Sequence, residues 1–313
     1  MQVIEAQFDD IDAMAASPLA WHQDYEQLGR GRFHGALTQV VLNSLQLGRL
    51  KWSPGVLQRG TAPAGTLAFG MPIRAEGSLH VRRRPVVAGE LIAANSRDDI
   101  GFAATGATDI VVTALPIPMI ERWLSVRRGV DRLDVNLPTP HLAVRAGEMR
   151  RRAHALAGLL DRILAAAPCN QARAARSVES QIFDVILDMI PSAEIIEPLH
   201  HRARIARQVL DVLRASLESP PTVTELCERT GARERTLYLC CMEAFGRPPA
   251  RLLAELRLNA ARRALSQSRE GVTVTSVAAL YGFTHFGRFS QSYLRQFGEL
   301  PSETLAKAAG WRN

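Results

Sequence analysis

The chain lacks any apolar stretch long enough to span a bilayer. Every hydrophobic run in its 313 residues is broken by charge, well short of the about 18 residues that a spanning helix needs. Its start, MQVIEAQFDD, carries acidic residues where a secretory signal needs a basic and then an apolar segment. A cytoplasmic protein with no membrane partner is therefore expected. Cysteine is scarce: Cys169, Cys227, Cys240 and Cys241 include no CxxC pair and no histidine at metal spacing. Cys240 and Cys241 are adjacent on an expected helix, so their side chains diverge by about 100° and a bridge between them is disfavoured. The four read as small hydrophobes in a reducing compartment. His22, His34 and His80 form no His-x-His pair and read as satisfied or surface histidines. GxSxG, phosphate-loop and dinucleotide patterns are also missing. No metal, no cofactor and no enzymatic activity are expected. Lysine is nearly absent, with arginine supplying 36 of the 38 basic residues. That bias suits forked contacts to phosphate and guanine, and genome base composition produces it equally well.

What is present divides unevenly along the chain. Hydrophobic content of 47% and a length of 313 residues support two or three cores. The net charge of +7 resides wholly in residues 199–313, where 17 basic residues face 10 acidic ones, whereas residues 1–198 balance at 21 each. A basic segment beside a larger neutral one points to an anionic polymer as partner of the C-terminal part.

From about Phe33 to Leu115 the segments HGALTQVVLN, SLQLGRLKW, GTLAFGM, SLHVR, ELIAANS, IGFAATG and TDIVVTAL are short, partly alternating and bounded by turn formers. They predict a β-sandwich or small barrel in residues 1–117. Helical periodicity takes over near Pro118, giving a helical stretch over 118–198. MIERWLSVRRG forms a short helix, Val144–Ala167 a long amphipathic one, and Val178–Ile190 another. These helices either cover the sheet or form a dimer seam. Pro191–Pro198 reads as the boundary to residues 199–313. Arg82-Arg83-Arg84 and Arg150-Arg151-Arg152 read as solvated charged faces.

The C-terminal part holds two tandem helix-turn-helix patterns, after a helix over His201–Leu217. In Thr222–Gly246, Thr222 and Glu225 fit a capping box, Gly231 suits a tight turn, and Leu237, Cys240, Cys241 and Phe245 form the inner stripe of the second helix. Arg235, Thr236 and Tyr238 are left facing outward, with Arg233 at the cap. In Thr273–Gly298, Thr273 or Thr275 caps a first helix, Gly282 makes the turn and Thr284 is the expected N-cap of a helix His285–Phe297. Phe289, Tyr293 and Phe297 form its inner stripe. Thr284, His285, Gly287, Arg288, Gln291 and Ser292 remain at its exposed N-terminal end, the part that enters the major groove in such motifs. Arg288 suits guanine and Gln291 adenine. Between the units, Arg247–Gln267 predicts a helix of some 18 residues, about 27 Å long, a length suited to placing two reading helices in neighbouring grooves about 34 Å apart.

Arg204–Leu305, with Arg235-Thr236-Leu237, the linker RLNAARRAL and then VAALYGFTHFGRFSQSYLRQFGELPSETL in order, resembles the AraC/XylS transcriptional regulators. The resemblance implies a seven-helix domain bound to double-stranded promoter DNA, contact with RNA polymerase in activation, and a separate domain, often a cupin-type jelly roll, that senses a small-molecule effector or dimerises. Two positions depart from the pattern: Arg233 stands where the family usually has serine, and Leu239 where it usually has arginine. The expected protein is thus an α+β, two-domain regulator, a homodimer, with residues 1–198 sensing and 199–313 reading DNA. The alternative is a constitutive regulator whose β domain only dimerises.

Overall fold

The computed structural model describes residues 2–17, 21–42, 45–81, 84–86, 90–96, 100–128, 141–143, 146–165, 179–186, 194–196, 200–267 and 271–310. The N-terminal part is a sandwich of two antiparallel sheets. The larger has the order β1 (Gln2–Phe8), β3 (His34–Leu42), β4 (Leu45–Ser53), β11 (Thr108–Pro116), β6 (Thr66–Ala75), β9 (Glu90–Asn95), β12 (His141–Ala143), β13 (Glu194–Ile196). The smaller runs β2 (His22–Gln27), β5 (Val56–Thr61), β10 (Phe102–Ala104), β7 (Leu79–Val81), β8 (Arg84–Pro85). Alternation in β3 sends Leu37 into the interior between the sheets and Val40 and Leu42 into a second core on the outer face. The interior is aromatic, with Trp52 edge-on to Phe102 at 5.4 Å and to Tyr25 at 6.5 Å.

Three strands escape the periodicity argument. β1 is a largely exposed edge strand, β2 is polar apart from Tyr25 (HQDYEQ), and β5 turns polar after two residues. Their pairing supplies what side-chain alternation does not: β1 matches β3 from Gln2↔Val41 to Phe8↔Gly35, and β2 matches β5 from His22↔Thr61 to Gln27↔Val56. Within Pro191–Pro198, residues 194–196 form the last strand of the larger sheet, and the rest of that stretch lies outside the described residues.

The helices after the strands are α2 (Ile117–Arg128), α3 (Ala146–Ala165) and α4, of which residues 179–186 are described. The apolar stripe of α3, Ala153, Leu156, Leu159, Leu160 and Ile163, is buried with Ile182, Phe183 and Ile186 against Val40, Leu42, Leu47 and Val111 of the larger sheet. At about 1.5–3 kcal/mol for each large aliphatic side chain buried, this is the main reason the helices stay on the sheet. Of the two uses the sequence leaves open for that stripe, covering the sheet is the one observed. Arg152 of the second arginine triplet pairs with Glu148 and donates to the Val185 carbonyl, while Arg150 and Arg151 are more exposed.

The C-terminal part comprises seven helices among the described residues: α5 (His200–Ala215), α6 (Val223–Thr230), α7 (Glu234–Phe245), α8 (Pro249–Ser266), α9 (Val274–Leu280), α10 (Phe286–Phe297) and α11 (Pro301–Gly310). Leu226, Leu237, Cys240, Cys241 and Phe245 pack on α5 through Ile205, Val209 and Leu213. Leu258, Leu265, Val277, Phe289, Tyr293 and Phe297 form the second helical core. Cys240 and Cys241 are buried free thiols, and burial pushes the Cys241 thiol up to about 12, which keeps it protonated and inert.

Candidate nucleic-acid interface

Each helix-turn-helix unit is built from local chemistry. In the first, the Thr222 hydroxyl accepts from the Glu225 amide, and the Glu225 carboxylate accepts from the Thr222 amide at 2.7 Å. Those bonds hold the Glu225 carboxyl below its ordinary range. Gly231 closes α6 at φ 65°, a left-handed conformation that a β-carbon disfavours. Arg233 is the N-cap of α7 and makes no side-chain capping bond. In the second unit Thr273 and Ser276 form the capping box of α9, and Gly282, at φ 71°, makes the turn. The N-cap of α10 is His285, one residue later than the expected Thr284, and its side chain makes no capping bond. The peptide N–H groups of the first turn of α10 and α7 thus lack a side-chain cap, a feature that suits a phosphate.

The two units repeat one frame. Leu237, Cys241 and Phe245 of α7 occupy the places of Phe289, Tyr293 and Phe297 of α10, and Gly246 and Gly298 end both helices in the left-handed region. Tyr293 is fully buried, and its hydroxyl meets that of Thr304 at 2.8 Å. With these residues inward, a period of 100° per residue turns Gly287, Arg288, Gln291 and Arg295 outward on α10, and Arg235, Thr236, Leu239 and Met242 outward on α7. Arg233, Arg235, Tyr238, Thr284, His285, Gly287, Arg288 and Gln291 are exposed, and Thr236 and Ser292 are half-buried. Among the described residues, no ion pair or hydrogen bond engages the guanidinium of Arg233, Arg235 or Arg288. Arg295, which the sequence reading passed over, lies on the same face. It donates to the Gln291 carbonyl and the Ser292 hydroxyl; its signal is its position four residues after Gln291 and seven after Arg288.

Between the units, α8 has the 18 residues the sequence predicts. Arg257 anchors the second unit to it, donating to the Tyr281 carbonyl at 2.6 Å and lying over the Phe283 ring at 4.3 Å. Arg247 and Arg251 both reach the buried Glu255, whose carboxyl burial pushes upward against their pull.

One face of α8 is held by the β-sandwich. β2 is the edge strand of its sheet, and the Asn259 side-chain amide substitutes for a neighbouring strand. Its Oδ1 accepts from the Gln27 amide at 2.8 Å, and its Nδ2 donates to the Gln27 carbonyl at 2.9 Å. Gln296, at the end of α10, also donates to that carbonyl, and the Gln27 side chain returns a bond to the Gln296 carbonyl. Glu26 pairs with Arg214 of α5 at 2.8 Å and with Arg263 of α8. Arg262, itself buried, bridges Asp10, the N-cap of α1 (Ile11–Ala15), and Asp12 in its first turn, and burial pushes the Asp12 carboxyl up. His80 Nδ1 donates to the Glu243 carbonyl near the end of α7. One strand of the sandwich therefore touches α5, α8 and α10 together.

A cavity of about 50 Å³ lies inside the sandwich. Trp52, Phe69, Phe102 and Ile110 wall it, with Gln23 of β2 and Gln58 of β5 supplying amides. Among the described residues, the buried Trp52 indole N–H has no partner.

A helix-turn-helix tandem on a rigid connecting helix, with free arginines on its reading faces, defines the class: a DNA-binding transcriptional regulator. A family model described as a helix-turn-helix domain matches residues 226–307. The chain is 27% identical over 313 residues to the probable thc operon regulatory protein of Rhodococcus erythropolis, covering 95% of this chain and 93% of that one. It is 24% identical over 287 residues to an XylDLEGF operon transcriptional activator of Pseudomonas putida, covering 88% and 85% respectively. A solved structure of a probable AraC family transcriptional regulator from Rhodopseudomonas palustris CGA009 is 34% identical over 33% of this chain and 96% of its own, with a TM-score of 0.32. The chain thus carries an AraC-type helix-turn-helix domain, and its relatives over most of its length are transcriptional regulators. No described helix is long and apolar enough to cross a membrane.

Proposed function

We propose that residues 199–313 read double-stranded promoter DNA through both units, and that residues 1–198 regulate that reading in response to a small molecule. Arg288 and Gln291 of α10 read bases, and Arg235 and Thr236 of α7 face the neighbouring groove. Arg233, Tyr238, Thr284, His285, Gly287 and Ser292 position the helix ends on the backbone. Two copies on adjacent sites, each site offering one half-site to each unit, and contact with RNA polymerase complete the activating arrangement. The effector is small and largely apolar, with one acceptor for the unpartnered Trp52 indole N–H.

One observation carries the regulatory part. Gln23 lines the cavity, and four residues further along the same strand Gln27 is bonded to both α8 and α10. A ligand that shifts β2 therefore shifts the frame on which the two reading helices sit, with an effect limited to its differential affinity for the two arrangements. The test is operator affinity of the full chain across a panel of small monocyclic and aliphatic compounds, read alongside Trp21 and Trp52 fluorescence. A compound that changes both, and changes neither in a Gln23→Leu variant, supports the proposal. Operator binding that no compound alters favours the constitutive reading.

A further inference from the structure

We propose that Leu239 makes the first unit read a thymine methyl group, so that the two half-sites of this protein are recognised by different chemistry. The inference rests on α7 being a reading helix, and it names what that helix reads.

Leu239 lies two residues after the inward Leu237 and two before the inward Cys241. On α10 the residue so placed, between Phe289 and Tyr293, is Gln291. Gln291 points an amide outward; Leu239 points a branched alkyl group. It is 38% exposed, and its neighbour Tyr238 is 49% exposed, on a helix whose Leu237 and Phe245 are buried and whose Met242 is half-buried. The sandwich meets α7 near its C-terminal end, where His80 meets the Glu243 carbonyl and Ser78 lies beside Gly246, and Leu239 keeps its exposure. Among the described residues, nothing accounts for an apolar side chain in this place.

DNA does account for it. The major groove offers one apolar feature, the C5-methyl of thymine. Against a G·C edge, Leu239 would strip water from amino and carbonyl groups without replacing their hydrogen bonds, a loss; against a methyl it gains buried area. Arg235, one turn earlier on the same face, remains available for phosphate or guanine. Specificity in the first unit thus comes from rejection of wrong bases as much as from attraction to thymine.

The experiment uses the full chain. Sites are selected from a randomised duplex pool, and each thymine in the selected site is replaced singly by deoxyuridine, which removes the methyl and nothing else. The expected result is one or two positions, all in one half-site, where deoxyuridine weakens wild-type binding by about fourfold, the effect of one buried methyl. Leu239→Ala binds thymine and deoxyuridine sites equally at those positions and keeps the wild-type response in the other half-site. Leu239→Gln shifts the selected base there towards adenine. Because Leu239 is on the surface, an unchanged melting temperature confirms that the variants fold. Specific binding with no deoxyuridine penalty that Leu239→Ala abolishes overturns the inference and leaves the DNA-reading role standing. Failure to select any site overturns both.

Discussion

Replacing Asn259 by alanine isolates the joint between the β-sandwich and the connecting helix. The substitution removes two buried bonds that join residues 232 positions apart, and the two backbone groups of Gln27 fare differently. Its carbonyl keeps the Gln296 amide at 2.8 Å, so that end stays satisfied. Its N–H is left buried with no acceptor. A net hydrogen bond contributes about 0.5–1.5 kcal/mol, and an orphaned buried donor costs about 1–3. The joint should weaken by about 2–3 kcal/mol, or roughly 30- to 150-fold in the equilibrium for opening it. Hydrogen exchange of a peptide covering residues 24–30 reads this directly, because the Gln27 amide exchanges when the joint opens. Exchange should accelerate by that factor, while peptides from β4 and β11 in the sandwich core hold their protection. Asn259→Asp should be at least as severe, since it sets a carboxylate oxygen against the Gln27 carbonyl. Unchanged exchange at residues 24–30 in both variants would refute the reasoning and show that Arg262, Glu26 and Arg247, which donates to the Leu28 carbonyl, suffice to hold the interface.

Arg288→Ala should weaken specific DNA binding by about 1–3 kcal/mol and relax the base preference at one position, measured by anisotropy on selected and scrambled duplexes; an equal loss on both duplexes would make Arg288 a phosphate contact. His80 is held below its ordinary value of 6.5, first by burial and also by the nearby Arg247 charge. The unfolded chain then binds the proton more readily, so this contribution to stability is complete above pH 6.5 and declines as pH falls below it. His80→Gln, which retains a donor for the Glu243 carbonyl, should flatten that part of the melting temperature profile, and an identical profile would remove His80 from the account. Thr222→Ala should cost about 1 kcal/mol through loss of the α6 N-cap, seen as a lower urea midpoint at constant slope. A midpoint unchanged within error would mean that Glu225 caps the helix unaided.

The local features of the C-terminal part were legible because short-range rules decide them. A threonine three residues before a glutamate caps a helix, a glycine at a left-handed turn ends one, and an aromatic at every fourth position must face inward. Thr222, Gly231, Gly282 and the Phe289–Tyr293–Phe297 stripe all follow from spacing alone. The cap of α10 moved by one residue, from Thr284 to His285, because frame and packing select the last extended residue where no side chain bonds the helix end.

The sandwich was legible where strands bury one face, in β3, β4, β6 and β11. It was not legible in β2, which is polar because its edge meets a helix. Whether the α3 stripe would cover the sheet or a second copy was also beyond the sequence, since both uses need the same apolar residues.

Sequence by itself thus determined two reading units, their connecting helix and the charge that draws them to DNA. Only the tertiary structure decided that Gln27, Asn259 and Gln296 share one buried set of bonds, and that a strand lining an internal cavity is bonded to the connecting helix and to the second unit. Hydrogen bonds between a strand edge and a helix distant in the chain obey no sequence period, because each partner is selected by the fold that brings it near.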